Sequence, residues 1–286
     1  MRLFIYGFGY SARFIAPQVQ SRQGGVAGTS RNAVTREAMV RQGVTAIDPA
    51  DLGALETELR RADHLLIAAP PDRDGCPAIA ALSPLIIGRD RPFAWVGYLS
   101  TTGVYGDHGG RWVFEETPTT PKSPEGERRV AAEAQWAGLA ERQGFSLAIF
   151  RLPGIYGPGR SPFERLHEGS AERWDKPGQV FSRIHVADLA RGVIAAMDRP
   201  RPGAIYHLCD DLPAAAEQVT AYAADLLGLD RPRLKPWDAA QLSPMAQRFY
   251  AESKRVSNAR AKAELGWRPI YPSYREGLAA ILTEVG

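Results

Sequence analysis

The sequence predicts an α/β protein built on a doubly wound parallel sheet, with a small additional lobe toward the C-terminus. Three observations lead to this prediction. A glycine turn, Gly7-Phe8-Gly9, follows the first apolar run, and short apolar runs then alternate with helical segments as far as about residue 153. Beyond that residue the alternation loosens, which indicates that the chain leaves the repeating pattern.

The first strand is predicted over the apolar run Leu3 to Tyr6, and a helix follows the glycine turn. Gly7 permits a tight turn, Gly9 allows a ligand to approach the backbone, and Ala12 allows close packing of helix on strand. Free N–H groups at the helix start then face a pyrophosphate. The predicted cofactor contacts here are Gly7, Phe8, Gly9, Tyr10, Ser11 and Ala12. Two glycines at a strand end also occur in plain turns, and this alternative stays open.

The following elements alternate regularly. Strands are predicted at Gly25–Thr29, Val44–Ile47, His64–Ala69 and Phe93–Leu99, and helices at Arg13–Gln20, Val34–Gln42, Asp51–Arg61 and Ala78–Gly88. Pro17 predicts that the first helix starts late or is kinked. Ligands of such sheets bind beyond the carboxyl ends of the strands, so Asp48, Ala68, Ala69 and Pro70 are further candidate cofactor contacts. The dipeptide Asp48-Pro49 is equally typical of a turn.

The end of the second strand bears on the choice of cofactor. An acidic residue there holds the ribose hydroxyls of NAD, whereas an arginine accommodates the 2′-phosphate of NADP. The stretch Thr29-Ser30-Arg31-Asn32 carries no acid. Ser30 and Arg31 therefore favour NADP over NAD, and the alternative is an ordinary polar loop with a solvated arginine.

Composition excludes several classes of protein. The 286 residues are 44% hydrophobic and 23% charged, with 35 basic against 32 acidic residues and no dense basic run, so no nucleic-acid partner is indicated. Two cysteines, Cys76 and Cys209, are too few for a disulfide framework, and the five histidines lack zinc spacing, so no metal is predicted. No signal sequence or membrane-spanning run is recognised, and we expect a cytoplasmic protein.

Four later stretches match one family in its own order. They are Ser100-Thr101-Thr102-Gly103-Val104-Tyr105-Gly106, Arg151 to Gly159, Arg183 to Ala190 and Lys262 to Pro269. Together they resemble the S-[ST]-x-x-V-Y-G, R-x-x-x-[IV]-Y-G-P-G, H-V-x-D and K-x-x-L-G-W-x-P segments of extended short-chain dehydrogenases, the NAD-dependent epimerase and dehydratase group. The glycine turn of the G-x-G-x-x-A kind marks an atypical member.

The resemblance implies a mainly NAD(P)-binding Rossmann part over residues 1–153. Residues 154–286 then form mainly a substrate-binding lobe, from which some elements return to the Rossmann part. It implies an oxidoreductase, epimerase or dehydratase in which Thr101 hydrogen-bonds the substrate oxygen and Pro153 lies beside the cofactor. The implied substrate is a small molecule, anionic or a sugar nucleotide. A homodimer through the helices near Pro84 and Arg129 is also implied.

The family's catalytic tyrosine and lysine, four residues apart on one helical face, are replaced here by Glu125 and Arg129. Arg129 can still donate hydrogen bonds to ribose hydroxyls. An ionised Glu125 is a poor proton donor. The alternatives are an i,i+4 surface ion pair, a substrate-binding carboxylate and a substitute acid–base group, so the candidate catalytic residues are Thr101, Glu125 and Arg129. A second function is kept: a non-catalytic NADP-binding sensor or regulatory protein.

Elements of the C-terminal part are predicted from periodicity. Helices are predicted at Ala187–Met197, Ala214–Leu227, Arg255–Glu264 and Ser273–Val285, and a strand at Ala204–Leu208. Basic and aromatic residues of this part are candidates for lining the substrate lobe: Arg160, His167, Trp174, Lys176 and Arg183. Their positive charge suits an anionic substrate, although exposed arginines on loops are more often solvated.

Overall fold

The structure is a computed structural model that describes residues 1–285. Its strands, in chain order, are β1 (Arg2–Tyr6), β2 (Gly25–Thr29), β3 (Thr45–Ile47), β4 (His64–Ile67), β5 (Trp95–Thr101), β6 (Trp112–Val113), β7 (Leu147–Leu152), β8 (Gly154–Tyr156), β9 (Arg173–Asp175), β10 (Arg183–His185), β11 (Ala204–Tyr206), β12 (Leu234–Pro236) and β13 (Arg255–Val256). Its helices are α1 (Tyr10–Gln20), α2 (Ala33–Arg41), α3 (Leu52–Arg61), α4 (Pro77–Ile87), α5 (Pro124–Gln143), α6 (Pro162–His167), α7 (Val186–Asp198), α8 (Ala216–Leu226), α9 (Pro244–Tyr250), α10 (Ala259–Leu265) and α11 (Tyr274–Val285). A 3-10 turn, Thr102–Tyr105, follows β5.

The main sheet has seven parallel strands in the order β11-β7-β5-β4-β1-β2-β3. The predicted α/β fold with a doubly wound parallel sheet is therefore confirmed. The chain runs from β1 outward through β2 to β3, then crosses to β4 and continues in the other direction. The order reverses between β1 and β4, which is where sheets of this kind bind ligands beyond their carboxyl ends.

Apolar side chains of the strands alternate between two cores, one on each face of the sheet. In β1, Leu3 and Ile5 pack with α1 and α7, whereas Phe4 and Tyr6 pack with α3, α4 and α5. Because both faces are covered, the central strands are nearly continuous apolar runs, as parallel sheets require.

Helix α1 begins at Tyr10 and contains Pro17, so of the two predicted alternatives, a late start or a kink, the late start is wrong. A proline inside a helix forfeits one backbone hydrogen bond and clashes with the preceding turn. The apolar face of α1, which includes Ala12, Ile15 and Val19, is fully buried against the sheet and α7. This burial outweighs the local cost of Pro17.

The helix predicted over Arg255–Glu264 is corrected at its start. Arg255–Val256 is β13, which pairs with β6, and α10 begins only at Ala259. Asn258 interrupts the helical run, because its side chain donates to the carbonyl of Cys209 at 2.8 Å. The helix α6 went unrecognised in the sequence, although Ser161 and Glu164 form a capping box at its start, which is a known signature.

Two of the family-like segments hold each other. The buried carboxylate of Asp188, in the H-V-x-D segment, accepts from the amides of Ile270 and Tyr271 at 2.7 and 2.9 Å. The indole of Trp267, in the L-G-W-x-P segment, donates to the carbonyl of Asp188 at 3.1 Å. Because each segment satisfies polar groups of the other, Asp188 serves the fold rather than the site.

The second half of the chain forms two short parallel strand pairs, β8 with β10 and β9 with β12, and its β13 pairs with β6 of the first half. From this half, β11 joins the edge of the main sheet and α7 packs on its face. Within residues 1–285, no helix combines the length and the apolar character that crossing a membrane requires.

Candidate functional site

The glycine turn lies directly against the end of β4. Gly7 has a φ of +94°, and a Cβ placed on it would lie 2.6 Å from the backbone nitrogen of Ala69. Its N–H donates to Thr29 Oγ1 at 2.9 Å, so the turn is also tied to β2. Only glycine fits this position, since both the backbone conformation and the space exclude a side chain.

Gly9 faces open space. A Cβ on Gly9 would meet no heavy atom within 4 Å, and Gly9 is the N-cap of α1 without a side-chain hydrogen bond. The first amides of a helix lack partners inside the helix, and α1 begins directly after β1, at the switch between β1 and β4. This backbone-lined cradle, residues 7–12, fits the pyrophosphate of a dinucleotide.

The side chains of Phe8 and Tyr10 support the cradle from two sides. Phe8 is buried beneath the turn beside Gly28, where a Cβ would lie 2.9 Å from its ring. The Tyr10 hydroxyl donates to the carbonyl of Pro158 at 3.1 Å, and burial raises the pKa of Tyr10 to about 12. Ser11 and the buried Ala12 follow in the first turn of α1.

The loop after β2 carries the candidates for the adenosine end. Arg31 is exposed, and the carbonyl of Ser30 accepts from Arg36 Nη1 at 2.7 Å. Arg36 also pairs with Asp48 at 3.0 Å, so the carboxylate of Asp48 already has a cationic partner. Arg36, which the sequence reading did not single out, therefore adds a second guanidinium beside Arg31.

The segment after β4 closes the cradle on its other side. The amides of Ala68 and Ala69 both donate to the carbonyl of Tyr6, at 2.9 and 3.0 Å, and Pro70 is exposed beyond them. These hydrogen bonds fix the end of β4 against the glycine turn. The residues predicted from four separate strand ends thus lie along one edge of the sheet.

A cavity of about 470 Å³ opens at the same edge, beyond the ends of β5 and β7. It is lined by Thr101, Thr102, Gly103, Ser123, Glu125, Gly126, Pro153, Gly154, Val180, Phe181, Ser182, Arg248, Phe249, Glu252, Lys254 and Val256. Residues from both halves of the chain contribute. The structure therefore brings Thr101, Glu125 and Pro153 together in the lining of one cavity.

Thr101 ends β5 and caps the 3-10 turn that follows it. Its Oγ1 accepts from the N–H of Gly103 at 3.1 Å. Because this bond uses a lone pair of the oxygen, the hydroxyl hydrogen is free to donate to a ligand in the cavity.

Glu125 and Arg129 take different directions, and the i,i+4 ion pair between them is not the pairing found. Glu125 is 58% exposed at the cavity mouth and lies 3.7 Å from Arg128, at i,i+3. Arg129 Nη1 donates to the carbonyl of Leu99 at 2.6 Å. The guanidinium thereby holds the end of β5, while the carboxylate faces solvent.

Behind Thr101 lies a buried polar network that sequence reasoning missed. Glu133, on α5, accepts from Ser100 Oγ at 2.5 Å and pairs with Arg151 at 2.7 Å. Arg151 Nη1 donates to Tyr105 Oη at 2.9 Å, and Tyr105 lies 2.6 Å from His207 Nε2. The only sequence signal was the placement of charged residues within otherwise apolar segments.

The hydrogen-bond partners of His207 define which of its ring nitrogens carries the proton. Its Nδ1 lies 2.9 Å from the carbonyl of Ser257, an acceptor only, so Nδ1 carries the proton and Nε2 accepts from Tyr105. Burial lowers the pKa of His207 to about 4, and burial raises the pKa of Tyr105 to about 12. The network therefore holds a neutral imidazole and a neutral phenol, and it serves as a rigid frame for β5.

Lys254 and Glu252 are the second feature missed. Both line the cavity, where they form an ion pair with side chains only 10% and 17% exposed. The backbone that carries them is fixed from both sides: Ser253 N–H donates to Asp107 at 2.7 Å, and Val256 N–H donates to Ser182 at 2.9 Å. The pairing of β13 with the two-residue strand β6 brings them here, and so short a pairing leaves no periodic signal.

The basic residues expected to line the lobe lie outside this cavity in the part of the chain described. Arg183 Nη2 donates to the carbonyl of Ala214 at 3.2 Å, Lys176 donates to the carbonyl of Tyr250, and Arg160 lies 5.5 Å above the ring of Tyr10. Trp174 is buried against Lys235, and His167 ends α6. The expected excess of positive charge is thus absent from the lining of the cavity.

Comparison with known proteins follows this geometry. The model of the NAD dependent epimerase/dehydratase family matches residues 89–209. A functionally unknown conserved protein from Silicibacter pomeroyi shares the fold with a TM-score of 0.93 and 48% identity, covering 99% of this chain and 98% of that one. UDP-glucose 4-epimerase from Thermotoga maritima, solved with UDP-glucose, has a TM-score of 0.82 at 18% identity over 100% of this chain and 98% of its own.

A similarity to 3-diazoavenalumate denitrifying reductase from a Streptomyces species reaches 30% identity over 161 residues. It covers 52% of this chain and 49% of that reductase, so the chain spans about half the length of this relative. The matched family segment contains Thr101, the α5 helix and the arginine of the buried network. Residues 89–209 thus match the NAD dependent epimerase/dehydratase family, and the whole chain shares the fold of a UDP-glucose 4-epimerase.

Proposed function

We propose that this protein is an NADP-dependent oxidoreductase acting on a small molecule bound beside Thr101. The observation that carries the proposal is the cavity itself. It begins at Thr101 and Pro153, at the ends of β5 and β7, which are two and three strands from β1 in the sheet. The glycine cradle at the end of β1 is thus on the same edge as the substrate-sized space, as a dinucleotide spanning the switch point requires.

In this proposal, different residues bind different parts of the dinucleotide. The amides at the start of α1, after Gly9, bind the pyrophosphate, and Arg31 with Ser30 binds the 2′-phosphate that distinguishes NADP from NAD. Ala68, Ala69, Pro70 and Pro153 line the path between the cradle and the cavity. Arg129 keeps further N–H groups besides the one that binds Leu99, and these are available to ribose hydroxyls.

Thr101 performs the orienting step at the reacting end. With Gly103 N–H bound to its oxygen, the Thr101 hydroxyl donates its hydrogen to the substrate oxygen and fixes that oxygen at the end of β5. When bound, the dinucleotide supplies hydride exchange with the substrate carbon. The buried network behind Ser100 keeps β5 from moving, which holds Thr101 in place.

The test combines binding and turnover. Fluorescence titration with NADPH and NADH is followed by a panel of carbonyl compounds, monitored by loss of NADPH absorbance. Thr101→Val removes the donor and is expected to lower kcat/KM about a hundredfold with NADPH affinity unchanged. Thr45→Val, at an exposed position of β3, is the matched control and leaves both quantities unchanged. The proposal is refuted if neither NADPH nor NADH binds.

One observation favours a second function, an NADP-binding sensor or regulatory protein without turnover. The residues at the tyrosine and lysine positions serve other contacts: Glu125 is largely exposed and Arg129 holds the carbonyl of Leu99. Binding of NADPH with affinity independent of Thr101, together with no turnover on the panel, supports this sensor.

Three further points belong to the same proposal. Residues 1–153 mainly bind the dinucleotide and residues 154–286 mainly bind the substrate.

The cytoplasm is the proposed compartment, since Cys76 and Cys209 are buried free thiols. A homodimer through α4 and α5 is the proposed assembly, and sedimentation of a variant with a charge at the exposed Ile87 tests it.

A further inference from the structure

The cavity has an aromatic wall. Phe181 and Phe249 both line it and stack with ring centroids 4.1 Å apart and planes 15° from parallel. Tyr250 packs edge-on against both rings, at 5.5 and 5.7 Å. Phe249 nevertheless stays 52% exposed, so a large apolar surface is open at the cavity. A flat ring is the ligand that such a surface binds best, because it adds one more layer to the existing stack.

The charge of the cavity lining is balanced. Among its described residues the cations are Arg248 and Lys254, and the anions are Glu125 and Glu252. A nucleoside diphosphate sugar brings two phosphate charges and is bound by several free cationic donors. Lys176 and Arg183, which flank the lining residues Val180 to Ser182, donate to backbone carbonyls instead. This lining does not suit a diphosphate.

Lys254 provides a single positioned donor within the cavity. Its ammonium is paired with Glu252, which accepts through one carboxylate oxygen, and an ammonium carries three N–H groups. One or two of them are therefore available to a ligand oxygen. Because residues 252–256 are fixed by Asp107, Gln179 and Ser182, the donor is held in place before the ligand arrives.

Resting on the function proposed above, we propose that the cavity binds a flat, ring-containing carbonyl compound in place of a nucleoside diphosphate sugar. Its ring stacks on Phe249, and one of its oxygens accepts a hydrogen bond from Lys254. These two contacts fix the orientation of the substrate relative to the hydroxyl of Thr101. The inference names a substrate class for the site and gives Lys254 a specificity role.

Equilibrium binding tests the proposal without turnover. The probes are acetophenone, cyclohexyl methyl ketone and UDP-glucose, titrated into protein saturated with oxidised NADP, where a ketone cannot be reduced. Acetophenone is expected to bind about tenfold more tightly than the saturated ketone, because only the flat ring stacks. Phe249→Ala removes this difference, whereas Phe114→Ala, at an exposed phenylalanine outside the cavity lining, keeps it.

Lys254 is tested in the same titration. Lys254→Met is expected to weaken acetophenone binding about tenfold or more, while Lys235→Met, which breaks an exposed pair with Glu172, leaves it unchanged. If Lys254→Met does not fold because Glu252 loses its partner, the double variant Lys254→Met/Glu252→Gln removes both charges and carries the same expectation. Glu252→Gln alone retains binding, since it leaves the donor in place.

Two outcomes overturn the inference. One is tighter binding of UDP-glucose than of acetophenone, and the other is no binding of either ketone at millimolar concentration. Loss of the dinucleotide's own binding is a separate result, which refutes the proposed function, and the probes are then titrated into the protein alone. If Lys254→Met and the wild type bind acetophenone with equal affinity, Lys254 does not contact the ligand. The role of the aromatic wall is then decided by Phe249→Ala alone.

Discussion

The two ends of the candidate site are built in opposite ways. The proposed cradle at residues 7–12 is formed by consecutive residues, which offer backbone amides at the start of α1. The proposed reacting end is assembled from distant segments, and on α5 it carries an exposed Glu125 and an Arg129 that donates to the carbonyl of Leu99. The proposed cradle is thus local in sequence, whereas the residues around Thr101 are held by a buried network of side chains from several segments.

The frame should therefore matter more for stability than the cradle does. Glu133→Gln leaves Arg151 buried without its charged partner and is expected to lower the free energy of unfolding by about 3–5 kcal/mol. Denaturant unfolding measures this. The control is Glu141→Gln, at an exposed position on the same helix. A loss below about 1 kcal/mol would mean that the buried network contributes little to the stability of the protein.

The pH dependence of stability isolates His207. Its pKa is lowered to about 4 by burial, whereas an unfolded histidine titrates near about 6.5. As pH falls from about 6.5 to about 4, the unfolded state binds a proton that the folded state excludes, so stability falls, by about 3 kcal/mol in the limit. The stabilisation is complete above pH about 6.5.

Other groups contribute to the same curve. His185, also with a pKa lowered to about 4 by burial, acts in the same direction, and Asp210, with a pKa raised to about 8 by burial, acts in the opposite one. The quantity to compare is therefore the slope of unfolding free energy between pH 7 and 5 in the wild type and in His207→Gln. A shallower slope in the variant is expected, and an unchanged slope would show that His207 is not held neutral.

Gly7 and Gly9 are expected to have different roles in the cradle: Gly7 is needed for folding, and Gly9 for ligand binding. Gly7→Ala forces a side chain into a φ of +94° and against Ala69, and is expected to cost about 1–3 kcal/mol of stability without any ligand. Gly9→Ala meets open space and is expected to change stability by about 0.5 kcal/mol or less. Thermal unfolding of both variants checks this difference, and equal losses would refute the assignment of Gly7 to the turn.

Substitution of Arg31 tests the proposed preference for NADP over NAD. Arg31→Ser is expected to weaken NADPH binding about tenfold, because a charged hydrogen bond to the 2′-phosphate is lost, and to leave NADH binding nearly unchanged. Arg41→Ser, at the exposed end of α2, is the control. Parallel weakening of both dinucleotides would place Arg31 away from the 2′-phosphate.

The smallest effect is expected at Glu125. An exposed carboxylate 3.7 Å from Arg128 contributes little, so Glu125→Gln should change turnover less than about threefold, as should Glu127→Gln. Steady-state kinetics on any substrate that the carbonyl panel identifies measure this. A loss of a hundredfold confined to Glu125→Gln would instead identify it as the acid–base group.

Local patterns account for what the sequence could predict. The glycine turn and the missing acid after β2 each lie within a few consecutive residues, and the parallel sheet follows from the alternation of strands and helices. The buried network joins residues 100, 105, 133, 151 and 207, and Lys254 reaches the cavity through a two-residue strand pair. Such contacts depend on three-dimensional packing and leave no periodic signal, so the reacting end could not be completed from the sequence.

The most direct measurement of the central claim is a fluorescence titration of the wild type and Gly9→Val with NADPH. A Cβ on Gly9 meets no heavy atom within 4 Å in the free protein, so we expect little effect on folding while the side chain fills the space proposed for the pyrophosphate. Saturable binding in the wild type, weakened about tenfold or more in Gly9→Val, is the predicted result. Equal binding by both proteins, or binding by neither, would contradict a dinucleotide site at this cradle.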